Sequence, residues 1–284
     1  MITNKLSKFF AIEIKNLDVR KIPSKETINK ISDLLLEFSV VVIRNQKITD
    51  DEHIKFSENF GTLELTKVGT DGSGSKLITL RNFDESGNIL PPTDRQRLNN
   101  LANQEWHSDS SFKKNPSKMS ILSAKIIPSR GGNTEFLSMR ASYNALPQDL
   151  KIRIDDKVCW HDYSHGRSKI DPNLVTPEEK EALPPVKQKL VLHDNKYGKC
   201  LYLGAHCRNI DGMSEIDSNA LLVEINSYID TEKFIYSHVW EPFDLIMWDN
   251  RAVLHRATPI KGKIEKRLMV RTTVAGHTST INEY

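Results

Sequence analysis

The C-terminal end of this chain constrains its fold most. It holds four short segments rich in β-branched and aromatic residues, Phe234 to Trp240, Asp244 to Trp248, Val253 to Ala257 and Arg267 to Val274, set apart by turn-forming residues. Segments this short pack poorly as helices, and four in succession must bury their faces against one another or against a second sheet. Helix-like stretches come before and between strand-like ones. The pattern therefore predicts a mixed α+β chain, mainly β at its core, built on a sheet sandwich or barrel.

The rest of the chain extends that pattern. Phe38 to Ile43 (FSVVVI) reads as a buried strand. Thr49 followed by Glu52 has capping-box spacing, and predicts a helix stopping near Asn59-Phe60-Gly61 and packed on that strand. From Gly69 to Asn99 the sequence predicts surface loop, with Lys76 to Leu80 as its strand. Met119 to Ile127 and Asn133 to Ser138 read as strands around a Pro128-Ser129-Arg130-Gly131-Gly132 turn. Met139 to Ile154 has helical spacing that Pro147 divides, and residues 166–185 read as an inserted polar loop. Lys189 to His193 with Lys199 to Leu203 predicts a strand pair, and Ser214 to Ile229 an amphipathic helix. No repeat or linker divides the chain, so 1–284 is expected to form one domain, with a loop region at 66–105 and an inserted helix and loop region at about 139–188.

Composition excludes several classes. Forty Lys+Arg against 37 Asp+Glu leave a net charge of +3 spread along the chain, which argues against a nucleic-acid track. Three scattered cysteines form neither a disulfide framework nor a zinc knuckle. The N-terminus has no apolar run of signal-peptide length, and no window approaches a membrane span, so a cytoplasmic protein with no membrane partner is expected.

Chemistry enters at Trp106-His107-Ser108-Asp109. On an extended segment, residues two apart share a face, so His107 and Asp109 can present an imidazole and a carboxylate to one point. A second imidazole follows at His255, just after Trp248-Asp249-Asn250-Arg251, and a barrel can bring early and late strands together. Beyond it, Arg267, Met269 and Arg271 share one face of the last strand. Two inward guanidinium groups need acidic partners, and a dicarboxylate ligand would supply them.

The set WHSDSSF, GGNTEF, GAH, MWDNRAVLHR and RLMVRTT, in that order, resembles the taurine dioxygenase superfamily of Fe(II)/2-oxoglutarate-dependent oxygenases. NQEWHSDSSF, GGNTEFLSMRASYNALPQDL and LYLGAHCRNIDGM look most like its 2,4-dichlorophenoxyacetate dioxygenase branch, whereas 66–100 departs most. The resemblance implies a double-stranded β-helix, or jelly roll, of clavaminate synthase-like type with flanking helices. It implies His107, Asp109 and His255 as iron ligands, with Arg267 and Thr134 holding the distal carboxylate of 2-oxoglutarate. Arg271 would meet the substrate's anionic group or help hold 2-oxoglutarate, and Asn103, Ser111, Lys67 and His206 are further substrate-contact candidates. The implied reaction uses Fe(II), 2-oxoglutarate and O2 to hydroxylate a C–H bond of a small anionic substrate, releasing succinate and CO2. If the oxidised carbon bears an ether oxygen, the ether cleaves. Family precedent implies a homo-oligomer, dimer or tetramer.

Other readings stand beside this one. A taurine-like sulfonate or an amino-acid-derived substrate would suit the same enzyme class. A zinc hydrolase could also use two His and an Asp, although it gives Arg267 no dicarboxylate to hold. A non-catalytic barrel binding a metal or anion is the third reading. Trp248 reads as core, and the remaining histidines read as structural or solvated.

Overall fold

The computed structural model describes residues 1–66, 74–229, 231–262 and 264–282. A seven-stranded sheet runs in the order Ile2–Lys5, Ile12–Lys15, Val40–Ile43, Leu245–Asp249, Met119–Ile126, Leu268–Val274 and Ile78–Arg81. All its pairings are antiparallel except the parallel one between Ile12–Lys15 and Val40–Ile43. The second sheet places Thr134–Ser138 between Ile235–His238 and Val253–Ala257. Two of the four C-terminal strands thus enter each sheet.

Alternation along the strands decides what each face meets. Val40, Val42, Leu122, Ala124, Ile246, Trp248 and Met269 of the large sheet share one buried cluster with Phe136 and Val253 of the small one. The two sheets therefore pack face to face. The opposite side chains, Val41, Ile43, Ile121, Leu245 and Met247, join Ile28, Ile31 and Leu35 of the Lys25–Phe38 helix and Phe56 of the Asp50–Glu58 helix. A third cluster packs the Glu215–Ile229 helix and the two short helices Met139–Ala145 and Gln148–Ile154 around the Val191–Asp194 and Gly198–Leu201 strand pair.

Most sequence expectations hold, including the Thr49–Glu52 capping box, the break at Pro147 and the β-strand pair in which Lys199 faces His193. Helices differ from expectation in three regions. Lys25–Phe38 is capped by Ser24 and takes the first residue of the expected FSVVVI strand. Arg95–Ala102 lies in the region read as loop; Asp94 caps it, but it has no fully buried side chain, so an apolar stripe does not announce it. The 166–185 segment contains the short Pro177–Ala182 helix. No helix among the described residues is long and apolar enough to cross a membrane.

The helix layer supplies a stability test. Ile31→Ala removes a fully buried side chain from the helix-sheet cluster, and should cost about 2–5 kcal/mol in urea unfolding. Ile22→Ser, at a mostly exposed position, should stay within about 0.5 kcal/mol of the parent. Equal effects of the two would contradict the packing described.

Candidate active site

His107, which belongs to no named strand, faces His255 of the Val253–Ala257 strand as an isolated antiparallel bridge. Each backbone N–H donates to the other's carbonyl, at 3.1 Å from His107 and 2.9 Å from His255, and the rings lie 4.2 Å apart. Residues distant in sequence thus become direct neighbours. Asp109 completes the group: its Oδ1 is 3.9 Å from His107 Nε2 and its Oδ2 is 3.7 Å from His255 Nε2. One ligand atom from each residue lies within 4.8 Å of the others, and all three residues are buried.

The donor chemistry suits a divalent cation. His107 Nδ1 is 2.8 Å from the Glu105 carbonyl, which can only accept, so that nitrogen carries the proton and Nε2 keeps its lone pair. Burial lowers the pKa of both histidines, favouring the neutral form that binds metal. Burial alone would raise the Asp109 carboxyl, but Arg271 and the two imidazoles hold it below the ordinary carboxylate range. Two imidazoles and one carboxylate on a single point match the facial triad that leaves other iron positions open.

A polar network fixes Asp109. Ser120 donates to its Oδ2 at 2.7 Å, and Arg271 Nη1 to its Oδ1 at 2.6 Å. Asn250 donates from Nδ2 to both Ser117 and Ser120, at 2.9 and 3.0 Å, while its own Oδ1 accepts from Trp248 Nε1 at 2.7 Å. Ser117 in turn donates to the Asp109 carbonyl at 2.7 Å, and Ser108 to the Asn250 carbonyl at 2.5 Å. The MWDN motif therefore supports the carboxylate of HSD from behind.

Two cavities meet at this group. The larger, about 710 Å³, is lined by Leu122, Thr134, Trp248, His255, Ile260 and Arg267 among others. The Arg267 guanidinium is enclosed by the fold; burial lowers its pKa to about 10, so it remains charged. Its Nε donates to the Gly132 carbonyl at 3.3 Å, and it makes no ion pair among the described residues. Thr134 Oγ1 accepts from Trp240 Nε1 at 3.2 Å, which leaves the hydroxyl proton free to donate into the cavity. A cation and a hydroxyl donor thus line the same pocket as the two imidazoles, His107 and His255, and suit an anion bound there.

The smaller cavity, about 140 Å³, is lined by Leu80, Asn103, Asp109, Phe112, Tyr163, Arg167, Leu183, His206 and Arg271. Arg271, Asn103 and His107 line both. The structure thus brings together His107, Asp109, His255, Thr134, Arg267, Arg271, Asn103 and His206. It does not bring in Ser111, which is buried outside both linings with its carbonyl accepting from Gln188 at 3.0 Å. Lys67 lies outside the described residues. Sequence spacing does not single out Arg167, Ser120 or Asn250: Asn250 lies within MWDNRAVLHR, whereas Arg167 lies in a polar stretch with no motif to mark it.

Residues 3–273 match the family described as taurine catabolism dioxygenase TauD, TfdA family. The chain belongs to this family. The TauD/TfdA assignment agrees with individual relatives: 34% identity over 280 residues links the chain to an alpha-ketoglutarate-dependent 2,4-dichlorophenoxyacetate dioxygenase of Cupriavidus pinatubonensis, covering 96% of this chain and 98% of that one. An (S)-phenoxypropionate/alpha-ketoglutarate-dioxygenase of Sphingobium herbicidovorans is 29% identical over 85% of this chain and 83% of its own. Among solved structures, that of AAD-2 in complex with Mn(II) and N-oxalylglycine superposes with a TM-score of 0.90 at 36% identity, covering 98% of this chain and all of that one. The protein is an Fe(II)- and 2-oxoglutarate-dependent dioxygenase.

Two outcomes follow for this TauD/TfdA dioxygenase. His107→Ala should weaken Mn(II) or Fe(II) binding by more than about 100-fold, and Asn250→Ala, which leaves every ligand in place, by about 10- to 100-fold. Anaerobic metal titration measures both, and wild-type affinity in either variant would contradict the assigned role. Burial also lowers the pKa of His53 to about 3 and of His161 to about 4. Below its ordinary 6.5, each takes up a proton once unfolded but not while native. Stability should therefore fall as pH drops from about 6.5 toward 4, by up to ~1.4 kcal/mol per pH unit for each such histidine. Urea midpoints at pH 7.5 and 5.5 test this, and equal midpoints would refute it.

Proposed function

We propose that this dioxygenase oxidises a small carboxylate of aryloxyalkanoate type, with ether cleavage where the attacked carbon bears the ether oxygen. In this reading residues 1–284 form one double-stranded β-helix, or jelly-roll, domain of clavaminate synthase-like type. The observation that carries the substrate reading is the smaller cavity, which joins cationic Arg271 to the apolar surfaces of Leu80, Phe112, Tyr163 and Leu183 beside Asp109. Its lining suits an anion with an apolar body. The relatives named for 2,4-dichlorophenoxyacetate and (S)-phenoxypropionate support the class.

His107, Asp109 and His255 would hold Fe(II), which, when bound with 2-oxoglutarate and O2, supplies the oxidising chemistry that replaces C–H by C–OH as succinate and CO2 form. The remaining work belongs to the chain. Arg267 receives the distal carboxylate of 2-oxoglutarate through its planar donor face, and the Thr134 hydroxyl donates to the same group. Arg271 keeps Asp109 ionised and oriented through Nη1, so the carboxylate is available to the metal at any ordinary pH. Leu122, Trp248 and Ile260 border the larger cavity with apolar surface that limits water there. A substrate hydroxylated at the ether carbon is a hemiacetal, and its collapse releases the aryl alcohol and an oxo acid. We also read the protein as a cytoplasmic homo-oligomer, dimer or tetramer, acting on small molecules rather than nucleic acid or membrane.

A panel of aryloxyalkanoates, sulfonates and N-substituted amino acids, scored by succinate release and O2 uptake, tests the reading. The expected result is kcat/KM at least tenfold higher for an aryloxyalkanoate than for taurine. A sulfonate or amino-acid derivative in first place would replace the aryloxyalkanoate reading while leaving the dioxygenase assignment intact.

A further inference from the structure

Two half-buried arginines in this enzyme make no ion pair among the described residues, and they face different cavities. Arg267 lines the larger, where 2-oxoglutarate fits; Arg167 lines the smaller. The Arg167 Nε lies 3.4 Å from Asn99 Oδ1, and the guanidinium stacks over the Tyr163 ring at 4.1 Å. The nearby acids are already engaged, Glu179 by Arg95 at 2.5 Å and Asp109 by Arg271 at 2.6 Å. Burial lowers the Arg167 pKa to about 10, which still leaves it charged at neutral pH.

Arg167 is also held in place. It sits on the short Tyr163–Ser168 helix, which Asp162 caps by accepting from the Ser164 N–H. At Gly166 an added Cβ would come within 2.8 Å of the Ala205 carbonyl, so the helix lies directly on the Gly204-Ala205-His206 segment. The Asp162 N–H donates to the His206 carbonyl at 2.8 Å, fastening the two segments. A fully exposed arginine can turn to water; this one is half-buried, stacked on a ring and lines a cavity. A partly desolvated cation without an ion-pair partner is costly, and an anion arriving in the cavity would relieve that cost.

Arg271 can share in gripping such an anion: its Nη1 is committed to Asp109, while its buried Nε makes no hydrogen bond among the described residues, so one edge of the guanidinium is left over. We propose that Arg167 is a specificity-determining residue which, together with Arg271, anchors the anionic head group of the substrate across the smaller cavity. The inference deepens the proposed function and rests on it for the substrate's apolar body, but it requires only that the substrate be anionic. The body would lie against Phe112 and Leu183, which line the smaller cavity, whereas Arg267 lines only the larger of the two.

The test uses the full-length iron enzyme, the best anionic substrate from the panel and that substrate's uncharged amide. Arg167→Gln should raise KM for the acid by about 20- to 100-fold, while kcat and the KM for 2-oxoglutarate change less than about threefold, and Arg167→Lys should recover part of the loss. Calorimetric titration of the acid into the enzyme loaded with Mn(II) and N-oxalylglycine should show the same loss without turnover. The wild type should prefer the acid to the amide, and Arg167→Gln should remove most of that preference. Unchanged acid affinity in Arg167→Gln, or a wild type that binds acid and amide equally, overturns the proposal. A sulfonate as best substrate, with Arg167→Gln still losing its affinity, overturns only the carboxylate reading and supports the anchor.

Discussion

The pair of backbone hydrogen bonds between His107 and His255 is the constraint on which the site depends. Two residues distant in sequence are held at bridge spacing by main-chain groups, so the imidazoles need no side-chain contact to find each other. This leaves Nε2 of His107 and His255 available to the metal. Asp109 follows two residues after His107, and its orientation is imposed by Ser120, Arg271 and, through the serines, Asn250. The carboxylate is thus prepared for a cation before one arrives, which limits the reorganisation needed on binding.

Charge then divides the space around the triad. Arg267 and Thr134 line the larger cavity, Arg167 lines the smaller, and Arg271 lines both. A cosubstrate with two carboxylates and a substrate with one anionic group would each find a guanidinium placed for it. Arg271 belongs to both linings and also grips Asp109, so the residue between the two ligands is tied to the metal centre itself.

Much of this was legible in the sequence because it depends on spacing. Strand spacing predicts His107 beside Asp109, and Arg267 with Arg271 through Met269, and the structure brings each pair to the site. Asp109 nevertheless lies in a turn, and Arg267 precedes the Leu268–Val274 strand, whose register shifts between Leu268 and Met269, while Met269 stays on the face shared by the two sheets. The Thr49 capping box and the Pro147 break were legible for the same reason: each acts on its immediate neighbours. The Lys25–Phe38 helix carries a readable signal, Ser24 before Ile28, Ile31 and Leu35. The Arg95–Ala102 helix carried almost none beyond its Asp94 cap, because it buries no side chain fully. Arg167 was invisible for a different reason. Its significance comes from what surrounds it in space, the Tyr163 ring, Asn99 and acids already paired with other arginines, and none of that is encoded beside it.

The segment Gly204-Ala205-His206 has a wider consequence. On one side Gly204, at φ +131°, lets it approach Trp106 and His107 so closely that a Cβ would stand 3.0 Å from the Trp106 carbonyl; on the other, Gly166 lets the Arg167 helix rest on Ala205. A thin backbone layer is therefore a spacer of fixed thickness between the triad and the wall carrying Arg167. The inserted region behind that wall can gain or lose residues in its outer loops without altering this gap, so long as the two glycines persist. Pocket shape can diversify over a reaction centre whose distance from the substrate's head group stays constant.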